Sequence, residues 1–138
     1  MLSMEPAIVT RLRAHLAADW RVMGFSEPGD RKAPGGHLAS VLLDDDRSPN
    51  PRATAAMVPV AWVVQLITQR ATGAAVLLDT AFSATVGALH NWHPGEHAGR
   101  RWEPMQLVRV LAQAQPTDDR LIGVELTFST QALYRGQD

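Results

Sequence analysis

The sequence contains no cysteine, which excludes disulfide bonds, thiol nucleophiles and zinc sites with cysteine ligands. Its basic and acidic residues nearly cancel, to a net charge of -1, so it lacks the overall basic field that draws proteins to nucleic acid or to anionic membranes. No apolar run approaches the ~20 residues that cross a bilayer. The first residues also lack the basic and apolar segments of a secretory signal, so the cytoplasm is the expected compartment.

The length and composition are those of an ordinary globular protein. Its 138 residues are the length of one domain, and 46% of them are hydrophobic and 20% charged, which is sufficient for a buried core. The sequence has no glycine-rich phosphate-binding loop and no G-x-S-x-G elbow. It therefore offers no recognised motif for nucleotide binding or for serine catalysis.

The first predicted helix lies near the start of the chain. Ile8, Leu12 and Leu16 repeat every four residues, which is the spacing of one helix face. Ser3 is a suitable cap, and we expect the helix to end near Asp19.

The second predicted helix lies just past the middle of the chain. Leu78, Phe82 and Leu89 share one side of a helix, again at helical spacing. Thr72 is a suitable N-cap, and the pair Pro94-Gly95 ends the pattern.

Strands are predicted from short apolar runs and from alternation of apolar and polar residues. The clearest alternation lies between Ile122 and Tyr134, which predicts one packed face and one polar face. The predicted strands are 20–25, 38–43, 57–70, 100–115 and 120–135, the last two joined by a turn at 116–119.

This order of elements predicts an α+β fold, because strands and helices do not alternate regularly. We expect a mixed or antiparallel sheet of about four to five strands with two helices packed on one face. Residues 1–138 should form a single domain, with long loops near 26–37 and 44–56, where proline, glycine and charged residues are frequent.

A histidine-rich stretch follows the second predicted helix. His90, His93, Glu96 and His97 lie close together in the sequence, and residues of this kind can bind zinc in a small metal-dependent hydrolase when one helix face brings them together. Pro94 interrupts such a helix, however, and the order of residues differs from H-E-x-x-H. We therefore interpret the stretch as the polar exit of a helix, and we expect no metal or other cofactor.

Two charged groups are candidates for contacts with partners or between subunits. Asp44, Asp45 and Asp46 follow a predicted strand, where successive side chains point to alternate sides and do not converge on a metal. The basic residues that suit a protein partner or passing DNA are Arg47, Arg52, Arg100, Arg101 and Arg109.

Several segments carry a family resemblance. They are the helix AIVTRLRAHL, the strand LASVLLDD before a polar loop, the long strand VPVAWVVQLITQ, the helix AAVLLDTAFSATVGALHNW and the closing strand TDDRLIGVELTFSTQALY. In length, element order and the pattern of apolar and polar residues, the chain resembles the phage tail terminator proteins. This family includes the minor tail protein U of lambda-like phages.

The resemblance implies a non-enzymatic structural protein of a phage or prophage. Tail terminators form a ring, commonly a hexamer, on the head-proximal end of the tail tube, where they stop tube polymerisation and offer a surface for joining the head. The implied partners are further copies of this chain, the tail tube protein and a head–tail joining protein. DNA would pass through the ring without sequence-specific contact, and no membrane is involved. The implied location is the virion tail, and the host cytoplasm during assembly.

Three other functions are also consistent with the sequence. Another head–tail joining or minor tail protein would have a similar element order and pattern of apolar and polar residues. A metal-dependent hydrolase would use His90, His93, Glu96 and His97. A ligand-binding or regulatory dimer would require a deep pocket lined by Trp62 and Trp92.

Overall fold

A computed structural model describes residues 1–28, 36–44, 49–52, 55–112 and 119–135, apart from the side chain of Arg52. A short 3₁₀ helix, Leu2–Met4, leads directly into the first α-helix. The α-helices are α1 (Glu5–His15) and α2 (Ala74–Leu89). The strands are β1 (Trp20–Met23), β2 (His37–Leu43), β3 (Asn50–Arg52), β4 (Ala55–Gln69), β5 (Gly95–His97), β6 (Arg100–Trp102), β7 (Gln106–Leu111) and β8 (Leu121–Arg135).

The main sheet runs in the order β1-β2-β4-β8-β7, with β3 paired to β4 beside this path. Only β1 and β2 pair in parallel within the described sheet, and the remaining pairs are antiparallel. β5 and β6 form a separate antiparallel hairpin. The mixed sheet and the α+β fold predicted from the sequence are confirmed, with six strands in the main sheet rather than four to five.

The core lies between the sheet and both helices. Trp62 of β4 and Phe128 of β8 face each other across the two longest strands and are fully buried. Leu12 of α1 and Leu89 of α2 belong to the same buried cluster. Burial of each large apolar side chain contributes roughly 1.5–3 kcal/mol, so this layer holds the helices against one face of the sheet.

α1 is shorter than its spacing predicted. It ends at His15 because Leu16 adopts extended backbone angles, φ -82 and ψ 154, and turns the chain toward β1. Leu16 is itself buried, at 7% exposure, so tertiary packing outweighs the helical preference of the following residues. The predicted cap at Ser3 was also wrong, since Met4 occupies the N-cap position and no side chain caps the helix.

A buried carboxylate joins the start of α1 to the chain after β1. Glu5 is 5% exposed, and it accepts hydrogen bonds from the backbone N–H and the hydroxyl of Ser26, at 2.9 and 2.8 Å. A Cβ added to Gly24 would lie 2.2 Å from the Glu5 Oε1 atom. The approach of this carboxylate therefore requires a glycine immediately after β1.

α2 packs through small residues more than through the large ones that the spacing singled out. Its buried residues are Ala74, Ala81, Thr85, Ala88 and Leu89, whereas Leu78 and Phe82 are only partly buried. Alanines permit a close approach of α2 to its neighbours. The N-cap is Gly73, in a left-handed conformation with φ 88, rather than the predicted Thr72.

β4 and β8 pair along their full 15-residue lengths. β3 pairs with the first residues of β4, at Ala55 to Met57. β3 and the start of β4 therefore occupy part of the region 44–56, where a long loop was expected. In the other expected loop, 26–37, residues 29–35 lie outside the described residues.

The face of the sheet away from the helices has its own smaller cluster. Met23, Leu38 and Ile67 are buried together there, with Leu121 packed against them. Beside them, the side chain of Gln65 donates a hydrogen bond of 2.7 Å to its cross-strand partner Glu125. Within the described residues, neither helix is long and apolar enough to cross a membrane.

Candidate assembly surfaces

The histidine-rich stretch forms the corner between α2 and β7. His90 follows the last residue of α2, and its Nδ1 atom accepts a hydrogen bond from the N–H of Leu107, at 3.1 Å. The backbone N–H of Asn91 donates to the carbonyl of Met105, at 2.7 Å. These bonds fix the start of β7 beside the end of α2.

The four candidate metal ligands do not form a ligand set. His97 lies in β5, and its Nε2 atom is 2.6 Å from the carbonyl oxygen of Pro94. His93 and Glu96 are exposed. Throughout the described ranges, no three His, Cys, Asp or Glu side chains meet in a group that could hold a metal ion.

The acidic candidates are only partly described. Asp44 directly follows β2, and its backbone N–H donates to the carbonyl of Ala61 in β4, at 2.9 Å. This bond continues the β2–β4 ladder by one residue. Asp45, Asp46 and Arg47 lie outside the described residues, so their proposed contacts stay predictions.

Arg100 and Arg101 lie on β6 but have different surroundings. The Arg100 guanidinium lies 4.9 Å from the ring centroid of Tyr134 in β8, an arrangement with cation–π attraction. Trp102 meets the same ring edge-on, at 6.1 Å between centroids. Arg101 is exposed and lies opposite Glu96 in the β5–β6 hairpin. Arg100 therefore fastens the hairpin to β8, and Arg101 faces solvent.

The strand pairing places three basic residues near one end of β4 and β8. The backbone of Arg52 pairs with Ala55, and Ala55 in turn pairs with Arg135 of β8. Arg135 is exposed and adjoins Tyr134, over which Arg100 lies. The topology thus places Arg52, Arg100 and Arg135 in one region, although Arg109 lies apart on β7.

The two edges of the main sheet differ in how they are covered. At the β1 edge, Arg13 of α1 donates a hydrogen bond of 3.0 Å to the carbonyl of Val22. At the β7 edge, Val108 is 53% exposed and Val110 is 46% exposed. An apolar and exposed edge strand is a typical site for association with another chain.

A groove of about 650 Å³ opens between the end of α1 and the first half of α2. Its apolar lining includes Leu16, Trp20, Leu77 and Val76, of which Val76 is 71% exposed. A smaller pocket of about 230 Å³ lies beside the start of α2. Neither the groove nor this pocket is lined by Trp62, which is wholly buried in the core, or by Trp92, which packs against Arg11.

The apolar edge of β7 and the groove were not predicted from the sequence. Val108, Val110 and Val76 have the same residue types as core positions, so composition does not mark them as surface residues. Their exposure depends on which strand lies at the edge and on how α1 ends. A weak signal was present at Val76, because it falls outside the predicted buried face of its helix.

Comparison with known proteins gives a likeness of fold. No protein-family model matches the sequence, and no curated protein matches it. The structure is similar to that of a chain described as "Virion of native gene transfer agent (GTA) particle", with a TM-score of 0.65 and 19% sequence identity. The alignment covers 91% of this chain and 91% of that chain. The likeness therefore concerns the fold of nearly the whole chain.

Proposed function

We propose that this protein is a non-enzymatic structural component of a phage-like virion, and specifically a tail terminator. In this role it forms a ring that caps the head-proximal end of a tail tube and joins the tube to the head. The observation that carries the proposal is the similarity of fold, over 91% of both chains, to a chain of a gene transfer agent virion particle. Fold alone does not define a function, so the surfaces of the chain supply the second part of the argument.

The surfaces suit a protein that works by contacts with other chains. β7 leaves an apolar edge open, and a groove beside α2 exposes Val76. β8 carries exposed Leu133 directly opposite Met57 across the β4–β8 ladder. Apolar side chains at several separate sites are expected when different parts of one subunit meet different neighbours.

The proposed partners follow from this role. They are further copies of the chain in a ring, commonly a hexamer in tail terminators, together with the tail tube protein and a head–tail joining protein. DNA would pass through the ring without base-specific contacts. The protein would assemble in the host cytoplasm and end in the virion tail, as a single domain whose charged residues Asp45, Asp46 and Arg47 are candidates for contacts between subunits.

Two rival functions make different predictions. A metal-dependent hydrolase needs converging ligands, and His90 and His97 instead make separate hydrogen bonds to the backbone. Another head–tail joining or minor tail protein would share the fold and would also form oligomers, but it would not stop the growth of a tail tube.

The length of tail tubes separates these functions. Tail tube protein from the same genome is polymerised with and without the purified chain, and the tube lengths are measured by electron microscopy. We expect added chain to shorten the tubes in a dose-dependent way and to appear as a ring at one end. Tubes of unchanged length and without end-bound density would contradict the tail terminator function.

A further inference from the structure

The open part of the β7 edge is short and apolar. The start of the strand is occupied, because Leu107 donates its N–H to His90. Beyond that point, Val108, Val110 and Leu111 are 53%, 46% and 36% exposed. A bulge between Leu107 and Arg109 removes Val108 from the regular ladder with β8. Because successive strand residues point to opposite faces, Leu111 does not share a surface with Val110, and we call the exposed side chains of Val108 and Val110 the ridge.

The groove between α1 and α2 lies toward the opposite side of the molecule. It is lined in part by Trp20 of β1, and α1 packs against β1 and β2. β7 is at the other end of the strand order. The ridge and the groove are therefore separate surfaces, so that one chain can use its ridge on one neighbour and its groove on another.

The chemistry of the two surfaces is complementary. The groove is mainly apolar, and it has a volume of about 650 Å³, which is enough for several aliphatic side chains. Its lining includes His15 and Asp19, the Asp19 Oδ2 atom lying 3.3 Å from the His37 Nε2 atom, and exposed Asp79 adjoins the lining residue Thr80. The only charged residue of β7 is Arg109. Among the described residues, neither Asp79 nor Arg109 has an ion-pair partner.

We infer that β7 of one copy docks in the α1–α2 groove of the next copy, with Val108 and Val110 against Val76 and Leu77. This inference rests on the proposed function, because it supplies the contact that builds the ring. The contact is heterologous, since two different patches of the same chain meet, and such contacts close into rings when the rotation between subunits permits. A second copy is the occupant because both halves of the contact are present on each chain.

A mixing experiment tests this docking. Val110→Glu places a charge on the ridge, and Val76→Glu places a charge in the groove. Both positions are exposed, so we expect both variants to fold, as circular dichroism checks; Val108→Glu and Thr80→Glu are second variants of the same two surfaces. Leu2→Glu is the matched control, because Leu2 is 50% exposed and lies at the opposite end of α1 from the groove.

Sedimentation of each variant and of an equimolar mixture gives the result. Each single variant should lose the ring, with self-association weakened by about 30-fold or more, and Leu2→Glu should assemble like the unmodified chain. The mixture should form a species of two chains, since each variant keeps one intact surface and these two surfaces are complementary.

The outcomes separate this inference from the proposed function. If the unmodified chain forms rings and either surface variant does so equally well, the docking is wrong and the proposed function stands. The docking is also wrong if the mixture stays monomeric while both single variants are monomeric. An unmodified chain that never associates overturns the ring, and with it both proposals.

Discussion

The two edge strands of the main sheet, β1 and β7, differ in how they are covered by the rest of the chain. β1 is four residues long, and Arg13 of α1 donates a hydrogen bond to the carbonyl of Val22. The chain that follows β1 is held by Glu5 through both bonds to Ser26. β7 is six residues long and exposes Val108 and Val110 with no comparable cover among the described residues.

Under the proposed docking, the two edges have different roles in association. Exposed strand edges tend to pair with other chains, and natural proteins usually shorten, charge or cover them. The β1 edge is short and covered, whereas β7 has a bulge and one charge, Arg109, but keeps exposed valines at its edge. We interpret the asymmetry as the basis of directional assembly, in which β1 belongs to the stability of the subunit and β7 to its contacts.

The largest expected effect on stability is at Gly24, beside the protected edge. In Gly24→Ala, the new Cβ would overlap the Glu5 carboxylate, which must move and lose its bonds to Ser26. We expect unfolding in urea to show a loss of about 2 kcal/mol, the scale of a hydrogen-bonded buried charge.

Gly36→Ala is the matched control, since its Cβ would meet no heavy atom within 4 Å. A second check combines Gly24→Ala with Glu5→Ala. If the overlap is the cause, the Gly24 substitution should cost much less when Glu5 is absent. Equal costs in both backgrounds would show that the carboxylate is not involved.

A smaller effect is expected when the cover of β1 is removed. Arg13→Ala deletes the bond to Val22 and an exposed contact of 3.5 Å with Glu27. Since exposed ion pairs contribute little, most of the expected loss of about 1 kcal/mol comes from the backbone hydrogen bond. Arg109→Ala on β7 is the comparison, and it should change the urea midpoint very little. Equal losses for the two arginines would contradict the proposed difference between the edges.

The smallest effect on subunit stability is expected on the open edge itself. Val108→Lys replaces an exposed side chain that lies outside the regular ladder, so its free energy of unfolding should change by less than about 0.5 kcal/mol. Light scattering at increasing concentration should nevertheless show weaker association, because lysine is a natural edge-protecting residue. A large fall in stability without a change in association would reverse the roles of the two edges.

The regular elements with long periodic patterns were predictable from the sequence. β4 was predicted at 57–70 and found at Ala55–Gln69, and β8 was predicted at 120–135 and found at Leu121–Arg135. Alternation reports which side chains are buried, and in both strands one face packs against the helices. A short apolar run predicted β2, and helical spacing of apolar residues predicted α2.

The short elements could not be predicted in the same way. β5 and β6 have three residues each and surround a turn in which Ala98 and Gly99 have φ angles of 55 and 73. β3 contains Pro51, which argues against a strand unless the strand lies at an edge. β6 lies within the one strand predicted at 100–115, which the structure divides into β6 and β7. β3 and β5 have three residues each, which is too short for a period to be recognised.

The contrast between the edges depends on strand order, which periodicity does not report. The apolar residues of β7 resemble those of a buried strand in the sequence, and only the position of β7 outside β8 exposes them. The groove likewise depends on the early end of α1 at His15. Both surfaces therefore required the tertiary structure.

The central claim, that the chain closes into a ring by itself, is tested most directly by native mass spectrometry of the unmodified 15.0 kDa protein across a range of concentrations. The account predicts one dominant closed species, commonly of six chains for a tail terminator, that appears as a ring in electron micrographs. A monomer at every concentration, or an open-ended series of masses without a preferred size, would contradict it.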